Sequence, residues 1–254
     1  MVYNKIPIEF ENLMQDVEKI KQKGWIVSTC KGCGAVGRTF ETELGLSENE
    51  LEIPDYRGVI EIKTKSIRGD NLYKYINLFS AVPDNYLFEI KRILHTYGYP
   101  NKKDASLRSF NFSFSTIRTV FTRNYFFKLK IDRNKEKIIL DVYDKFTGVL
   151  VEDDISWSFK IIKEKLYRKL KYLLYVKAKR KFEHNDLFFH YVDIKFYILR
   201  DFECFLKAIE NGYIRVTFKI NMYTKGPKYG NINDHGTSFD INEDFLEKVF
   251  YLYK

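Results

Sequence analysis

The feature that most constrains the fold is a short alternating segment directly after a proline. Pro54 has no amide hydrogen to donate to a sheet, so a strand is expected to begin after it. In residues 59–65, VIEIKTK, strict alternation predicts a strand with two unlike faces. One face would carry Val59, Glu61, Lys63 and Lys65, and the other Ile60, Ile62 and Thr64. The chain must therefore build a sheet around a strand with one strongly charged face.

The remaining periodicities predict helices and strands in mixed order. Helical spacing of apolar residues is found at 9–22, near 35–45, at 85–95, over a long basic stretch 156–180, and at 199–210. Strand patterns occur at 108–120, in a hairpin that turns near Asn134, at 186–194 and at 213–223. A short strand and a last helix follow the polar loop 224–238. This order predicts an α/β fold, or an α+β fold with a mixed sheet.

Composition limits the function classes without selecting one. The 254 residues carry a net charge of +9, with 43 Lys and Arg against 22 Phe, 19 Tyr and 2 Trp. Basic and aromatic residues together suit nucleic acid, but AT-rich codon usage produces the same bias. No stretch of 18 apolar residues and no signal-peptide core is present, and three cysteines cannot form a disulfide framework. We therefore expect a cytoplasmic protein without a membrane segment.

The charged face of the predicted strand offers metal chemistry. Glu61 and Lys63 would lie about 7 Å apart on one face, and Asp55 would precede the strand behind a turn at Gly58. Two converging carboxylates, with the Ile62 backbone carbonyl as a third ligand, suit Mg²⁺, and a nearby lysine can activate water. The alternative is an ordinary solvated strand face.

Flanking segments give this pattern a family resemblance. Residues 34–45, GAVGRTFETELG, followed by residues 54–65, PDYRGVIEIKTK, resemble the MutH/MvaI/BcnI group of PD-(D/E)xK nucleases. The segments 205–216, FLKAIENGYIRV, and 234–239, DHGTSF, resemble later elements of the same group, and the second favours its MvaI/BcnI restriction enzymes. The resemblance implies a restriction-endonuclease-like core: a central mixed sheet flanked by helices, with two lobes around a DNA cleft.

The resemblance also implies residue roles. Asp55 and Glu61 would bind Mg²⁺, for which Mn²⁺ can substitute, and Lys63 would position or activate the attacking water. Glu41 would join the site from its helix, through a metal or its waters; the alternative is a surface glutamate paired with Arg38, three residues earlier. The implied activity is that of a type II restriction endonuclease, which hydrolyses phosphodiester bonds of specific double-stranded DNA sites.

Candidate DNA contacts are basic or hydrogen-bonding residues near these motifs: Lys31, Arg38, Lys65, Arg215, His235 and Thr237. His235 can donate to guanine O6 or N7, and Thr237 can contact a base or a phosphate. Arg215 suits either a DNA contact or a solvated strand face. Asp240 stands where the resemblance leads us to expect a basic residue, so the target sequence is left open.

Cys30 and Cys33 form a C-x-x-C pair. A redox pair or half of a zinc site would use this spacing, but no second closely spaced cysteine or histidine pair completes a zinc set. Lys31, inside the same loop, suits a phosphate contact better. The role of the two cysteines is left open.

The expected organisation is a catalytic lobe over residues 1–150 and a DNA-recognition lobe over residues 151–254. The resemblance implies a monomer that acts on double-stranded DNA, with a companion DNA methyltransferase in the same system. Two alternatives are a MutH-like strand-specific nickase and a DNA-binding protein without catalysis. Metal-dependent cleavage of both DNA strands would distinguish a restriction endonuclease from the nickase and from the non-catalytic DNA-binding protein.

Overall fold

The computed structural model describes residues 6–32, 34–46, 53–67, 74–84 and 86–253. Contacts divide the chain into two compact units built from interleaved segments. The first unit contains residues 1–76, 165–200 and 247–254, and the second contains residues 77–164 and 201–246. The predicted division near residue 150 differs from this interleaving. The assignment of catalysis and recognition to separate lobes stays a prediction.

The described part of the chain contains six α-helices. Their bounds are α1 (Glu9–Gln22), α2 (Ala35–Glu43), α3 (Tyr86–Tyr97), α4 (Phe159–Leu170), α5 (Phe202–Glu210) and α6 (Leu246–Val249). The helices α1, α2, α3 and α5 confirm those expected from apolar spacing at 9–22, near 35–45, at 85–95 and at 199–210. Asp201 caps α5, because its side chain accepts a hydrogen bond from the Cys204 amide. Within the described part of the chain, no helix has the length and apolar character of a membrane span.

The first unit is built on one mixed sheet. Its strands are β1 (Ile26–Val27), β2 (Glu61–Ser66), β11 (Tyr172–Glu183), β12 (Asp186–Leu199) and β16 (Phe250–Tyr253). The order is β1-β12-β11-β2, with β16 also paired to β12. β2 runs parallel to β11, while β11 and β12 form a long antiparallel hairpin. The strand that carries the charged motif therefore lies at an edge of this sheet.

A continuous apolar core fixes α1 and α2 on one face of that sheet. Leu13 and Val17 of α1 and Phe40 of α2 are buried with Ile62 of β2 and Tyr191 of β12. Burial of large side chains of this kind supplies the main stabilisation, about 1.5 to 3 kcal/mol for each aliphatic or Phe side chain. The structure therefore agrees with the alternation predicted for residues 59–65, because the side chain of Ile62 lies in the apolar core.

The second unit contains two further sheets. The first comprises β6 (Val120–Phe121), β7 (Tyr125–Asp132), β8 (Lys137–Asp144), β9 (Leu150–Glu152) and β10 (Ser156–Ser158). The second comprises β3 (Tyr75–Ser80), β4 (Tyr99–Pro100), β5 (Arg108–Phe114), β13 (Ile214–Met222), β14 (Ile232–Asp234) and β15 (Ser238–Asn242). In the second sheet the order is β3-β15-β13-β5-β4, and β14 pairs with β13. The hairpin predicted around Asn134 is confirmed as β7 and β8.

Aromatic side chains fill one face of the β3–β15 sheet. Phe110 and Phe114 of β5, Phe218 of β13 and Phe239 of β15 are fully buried, and they contact Trp157 or one another. Period-two alternation places polar residues of the same strands on the opposite face. Much of the aromatic content therefore belongs to the core, and the aromatic count by itself is no signature of base stacking.

The long basic helix predicted over residues 156–180 is wrong at both ends. Residues 156–158 form β10, the helix α4 covers Phe159–Leu170, and β11 begins at Tyr172. β11 lies between β2 and β12, and residues 172–176 are all buried. A strand covered on both faces has a continuous apolar run, and periodicity alone does not separate such a run from a buried helix.

Candidate functional site

The charged face of β2 forms a compact cluster in the first unit. Glu61 is only 1% exposed, although it is a carboxylate at the start of an edge strand. The Lys63 ammonium nitrogen lies 2.6 Å from Glu61 Oε1, as period-two geometry allows for two residues on one strand face. The structure therefore places the side chains of Glu61 and Lys63 side by side, as the sequence pattern predicts.

The environment of Glu61 is electrostatically unusual. Burial raises the pKa of its carboxyl above the ordinary value; the charge of Lys63 lowers it, and that of Asp55 raises it again. Both carboxylate oxygens are buried, and neither has a hydrogen-bond partner of good geometry among the described residues. A buried carboxylate with unused acceptor capacity is costly unless a cation or a donor completes it.

A second lysine reaches the same carboxylate from another element. The Lys169 ammonium nitrogen, in the last turn of α4, lies 3.6 Å from Glu61 Oε1, and its side chain is 25% exposed. Sequence reasoning gave α4 only a general role as a basic helix. Lys169 reaches Glu61 because α4 leads into β11, the parallel neighbour of β2, and the sequence carries no local signal of that pairing.

A tight turn brings Asp55 to the same strand. Arg57 and Gly58 both have positive φ, and the Val59 amide donates to the Tyr56 carbonyl over 3.0 Å. These are the features of a type I′ turn, whose second central position favours glycine. The turn folds the chain back, so that Asp55 Oδ2 accepts a hydrogen bond of 2.8 Å from the Ile62 amide. The proximity of Asp55 to the start of β2 thus results from this turn and from the isolated antiparallel bridge between Tyr56 and Ile60.

The carboxylate oxygens of Asp55 and Glu61 can supply part of the coordination shell of a hard divalent cation. Asp55 and Glu61 supply carboxylates, and the Glu61 oxygens have ion-pair contacts with Lys63 and Lys169 but no hydrogen bond of good geometry among the described residues. Among the described residues, no three His, Cys, Asp or Glu side chains group closely enough to hold a metal by themselves. Mg²⁺ commonly takes one or two carboxylates and completes its shell with water and substrate phosphate oxygens. The site is of that open kind, and a backbone carbonyl such as that of Ile62 is a further oxygen donor.

Glu41 lies on α2, which approaches β2 very closely. A Cβ added at Gly37 would lie 3.0 Å from Thr64 Oγ1 and 3.7 Å from Glu41 Oε1. Glycine at 37 therefore permits the close contact of helix and strand. By alternation, Thr64 projects from the face opposite Glu61 and Lys63. The structure accordingly does not bring Glu41 into one three-acid group with Asp55 and Glu61.

The predicted basic contacts of the first unit differ in exposure. Lys31 and Arg38 are exposed, whereas Lys65 is half-buried on β2, on the strand face of Glu61 and Lys63. Cys30 is a half-buried free thiol. Cys33 lies outside the described residues, so the C-x-x-C pair is not defined further.

In the second unit, residues 235–237 connect β14 to β15, and His235 is exposed there. The His235 amide donates to the Lys219 carbonyl, and the Gly236 amide donates to Asp234 Oδ1 over 2.9 Å. Gly236 has φ of 82°, a backbone conformation that suits glycine. His235 is exposed, with its Nε2 3.1 Å from the Asn233 side-chain nitrogen. The D-H-G-T segment therefore interrupts the strand pairing between β14 and β15 and leaves the His235 side chain exposed to solvent.

Thr237 points the other way. Its side chain is fully buried, and its backbone carbonyl accepts a hydrogen bond from the Ala81 amide. The contact predicted for Thr237 with a base or phosphate is therefore not supported, because its hydroxyl is closed off from solvent.

Asp240 lies beside Arg215 in a polar cluster. The two are opposite each other on β15 and β13, with Arg215 Nε 3.4 Å from Asp240 Oδ2. Asp240 also accepts a hydrogen bond of 2.8 Å from the Thr217 hydroxyl. Arg215 is about one-third exposed, so the ion pair restrains its guanidinium while leaving part of it accessible. The acidic residue at 240 thus fixes a basic residue from the neighbouring strand.

Comparisons with known proteins agree on one family. The model of the MvaI/BcnI restriction endonuclease family matches residues 14–250. The structure resembles that of a restriction endonuclease MvaI–cognate DNA substrate complex, with 27% identity, a TM-score of 0.86, and coverage of 98% of this chain and 99% of that chain. It also resembles MvaI in the absence of DNA, with 25% identity, a TM-score of 0.62 and 98% coverage of both chains. No curated protein matches the chain.

Proposed function

The chain belongs to the MvaI/BcnI restriction endonuclease family, and we infer from this that it is a type II restriction endonuclease acting on double-stranded DNA. The family match covers almost the whole chain, and the fold agrees with that of MvaI over nearly its full length. The observation that carries the catalytic assignment is Glu61, a buried carboxylate that lies within ion-pair distance of two lysines and whose pKa is affected by the charge of nearby Asp55.

The proposed cofactor is Mg²⁺, with Mn²⁺ as a substitute. Asp55 and Glu61 would hold the ion, with the Ile62 carbonyl as a further ligand and substrate phosphate and water completing the shell. When bound, a divalent cation polarises the phosphate and offsets charge on the leaving oxygen. Since Glu41 lies outside the two-carboxylate group, its proposed contribution is through waters or a second ion.

Hydrolysis of a phosphodiester needs a water in line with the bond that breaks. The water oxygen forms a bond to phosphorus, the bond from phosphorus to one sugar oxygen breaks, and a proton is finally passed to that oxygen. We assign Lys63 to orient the attacking water and Lys169 to place a second positive charge beside the phosphoryl group that gains negative charge. Glu61 holds both ammonium groups at 2.6 Å and 3.6 Å before substrate arrives.

The proposed DNA contacts are of two kinds: contacts to phosphates and contacts to base edges. Lys31, Arg38 and Lys65 belong to the unit with the metal site and would contact phosphates, which position a duplex without reading its sequence. His235 and Arg215 belong to the other unit and would contact base edges. Asp240 would position Arg215 for that task. The enzyme is proposed to act as a monomer and to be accompanied by a methyltransferase that protects the host sites.

Digestion of an unmethylated plasmid in Mg²⁺, followed by sequencing of fragment ends, tests this function. The proposal predicts discrete fragments with one common end sequence and no fragments in EDTA. Open circles that are never linearised would instead favour a nickase. Binding without cleavage in Mg²⁺ or Mn²⁺ would favour a non-catalytic DNA-binding protein.

A further inference from the structure

The sheet of the first unit has one face against the apolar core and one face turned away from it. On β11, Val176 and Ala178 belong to the core. Because side chains alternate along a strand, the odd-numbered residues of the same stretch project from the other face. Three of them are lysines, and together they form the β11 lysine row: Lys177, Lys179 and Lys181. The row therefore lies on the face that is turned away from the core.

The β11 lysine row shares that face with the proposed metal site. β2 and β11 are parallel neighbours, with Glu61 opposite Leu173 and Lys65 opposite Lys177. Residues that are opposite each other in neighbouring strands project from the same face of the sheet. At ~3.3 Å per residue, the row begins about 13 Å along β11 from the Glu61 position and ends about 26 Å from it. The row therefore leads away from the metal site in one direction.

Positive charge is in excess along the row. Lys179 is exposed, and the other two lysines are half-buried. Among the described residues, Lys179 has no ion-pair partner, whereas Lys181 contacts Glu183. The other acidic neighbour is Asp193, which is opposite Lys177 on β12. Two carboxylates thus face three ammonium groups, and the central ammonium group is left for a ligand.

An exposed tryptophan lies at the far end of the row. The Lys181 ammonium nitrogen is 5.1 Å from the centre of the Trp25 ring and 5.3 Å from that of Phe188, within the range of cation–π contacts. The Trp25 ring also contacts His190, with 5.5 Å between ring centres. Trp25 is nevertheless 41% exposed. Its indole therefore senses whatever binds along the row.

The sugar–phosphate backbone of duplex DNA matches the chemistry and length of the row. Ammonium groups bind phosphates as point charges, and such contacts position a duplex without reading its sequence. Each DNA strand advances 3.4 Å per base pair, so 13 to 26 Å corresponds to about four to eight base pairs. A duplex whose cleaved bond lies at Glu61 and which follows β11 would therefore pass the row outside a short recognition sequence.

We propose that the β11 lysine row binds phosphates of flanking DNA, about four to eight base pairs from the cleaved bond. This inference rests on the proposed endonuclease function and adds a requirement for the substrate. Full affinity needs duplex DNA beyond the recognition sequence, whatever the sequence of that flanking DNA. A recognition sequence close to both ends of a short duplex is bound more weakly.

The test uses two duplexes that share the recognition sequence found by fragment-end sequencing, with about two or about fifteen flanking base pairs on each side. Binding to the full chain carrying Lys63→Ala is measured by fluorescence anisotropy over a range of salt concentrations. Adding Lys179→Ala and Lys181→Ala together should reduce the salt slope by about two on the long duplex. The same pair of changes should leave the slope on the short duplex unchanged.

The matched control is the pair Lys19→Ala and Lys21→Ala, which removes the same charge. Both lysines are exposed on α1, which packs on the core face of the same sheet. This pair should leave both slopes unchanged.

Trp25 gives an independent readout on the same chain. The other tryptophan of the sequence, Trp157, is fully buried, so quenching of fluorescence by acrylamide reports Trp25. The long duplex should protect Trp25 from acrylamide, and the short duplex should not. Trp25→Phe should remove the quenchable signal, which verifies its origin.

A loss of slope that is equal on both duplexes would place these lysines at the recognition sequence and overturn the inference. An unchanged slope on the long duplex, or equal quenching of Trp25 with both duplexes, would overturn it as well. Each of these results leaves the endonuclease function standing. Binding of neither duplex would overturn both.

Discussion

At the scale of single residues, Glu61 explains why the site is assembled before any substrate binds. A carboxylate that is 1% exposed carries a large desolvation cost, and the lysines at 2.6 Å and 3.6 Å offset part of it. Its oxygens still lack good hydrogen-bond donors. The residue therefore holds capacity for a cation at a cost in folding stability, the trade-off expected of catalytic positions.

Lys169 gives this interpretation a specific test. Lys169→Met removes one positive charge and keeps the aliphatic stem, so we expect kcat to fall roughly ten- to a hundredfold, about 1.4 to 2.8 kcal/mol of barrier. The same change should raise the affinity for Mn²⁺ in the absence of DNA, because the lysine no longer competes for Glu61. Single-turnover cleavage and Mn²⁺ titration by electron paramagnetic resonance measure the two effects.

Lys163→Met is the matched control for this variant. Lys163 is exposed on the same helix and should change neither the rate nor the metal affinity. A merely structural role for Lys169 would leave Mn²⁺ affinity unchanged or lower it. That result would remove Lys169 from the proposed machinery.

At the scale of secondary-structure elements, the contact between α2 and β2 depends on one glycine. Gly37 lies inside the helix, where alanine is ordinarily favoured by about 1 kcal/mol. A Cβ at this position, however, would lie 3.0 Å from Thr64 Oγ1, closer than a normal contact. Alanine at position 37 would therefore gain helix propensity but come too close to Thr64, and the net effect on stability depends on the side chain at position 64.

A double-mutant cycle separates the two effects. Gly37→Ala should lower the free energy of unfolding in the natural background and raise it by up to about 1 kcal/mol when Thr64→Ala is present. The coupling energy should fall within the roughly 0.5 to 3 kcal/mol seen for residues in contact. Urea unfolding of the four proteins measures it. Equal effects of Gly37→Ala in both backgrounds would show that helix and strand are not in close contact.

Local patterns predicted these elements unevenly, for physical reasons. Residues 59–65 and α1 each have one face towards the apolar core and one face outside it. The sequence pattern of apolar and polar residues was therefore sufficient to predict both elements. Residues 172–176 are covered on both faces, and their continuous apolar run was read as helix. Lys169 was missed because its proximity to Glu61 arises from the parallel pairing of β2 with β11, which joins segments over 100 residues apart.

At the scale of the whole molecule, the net charge of +9 has a defined consequence. Each cation that neutralises a DNA phosphate releases counterions, so the association constant falls linearly on a logarithmic salt scale, with a slope of about −0.9 per contact. We expect such a line for the full chain. Lys31→Ala should reduce its slope by about one and weaken binding to all sequences equally.

Fluorescence anisotropy with a specific and a scrambled duplex, between low and moderate salt, measures this slope. Lys135→Ala is a suitable control, since Lys135 is an exposed residue of the β7–β8 turn that pairs with Asp153. A Lys31→Ala slope equal to that of the natural protein would exclude Lys31 as a phosphate contact. A loss confined to the specific duplex would make it a base contact instead.

The central claim is that Asp55, Glu61 and Lys63 form a metal-dependent cleavage site that is separate from DNA affinity. The most direct measurement compares Lys63→Ala with the natural protein, in parallel, for plasmid cleavage in Mg²⁺ and for duplex binding. The account predicts that cleavage is lost, by a factor of roughly a hundred or more, while the dissociation constant changes only a few-fold. Cleavage by purified Lys63→Ala at the natural rate would contradict it.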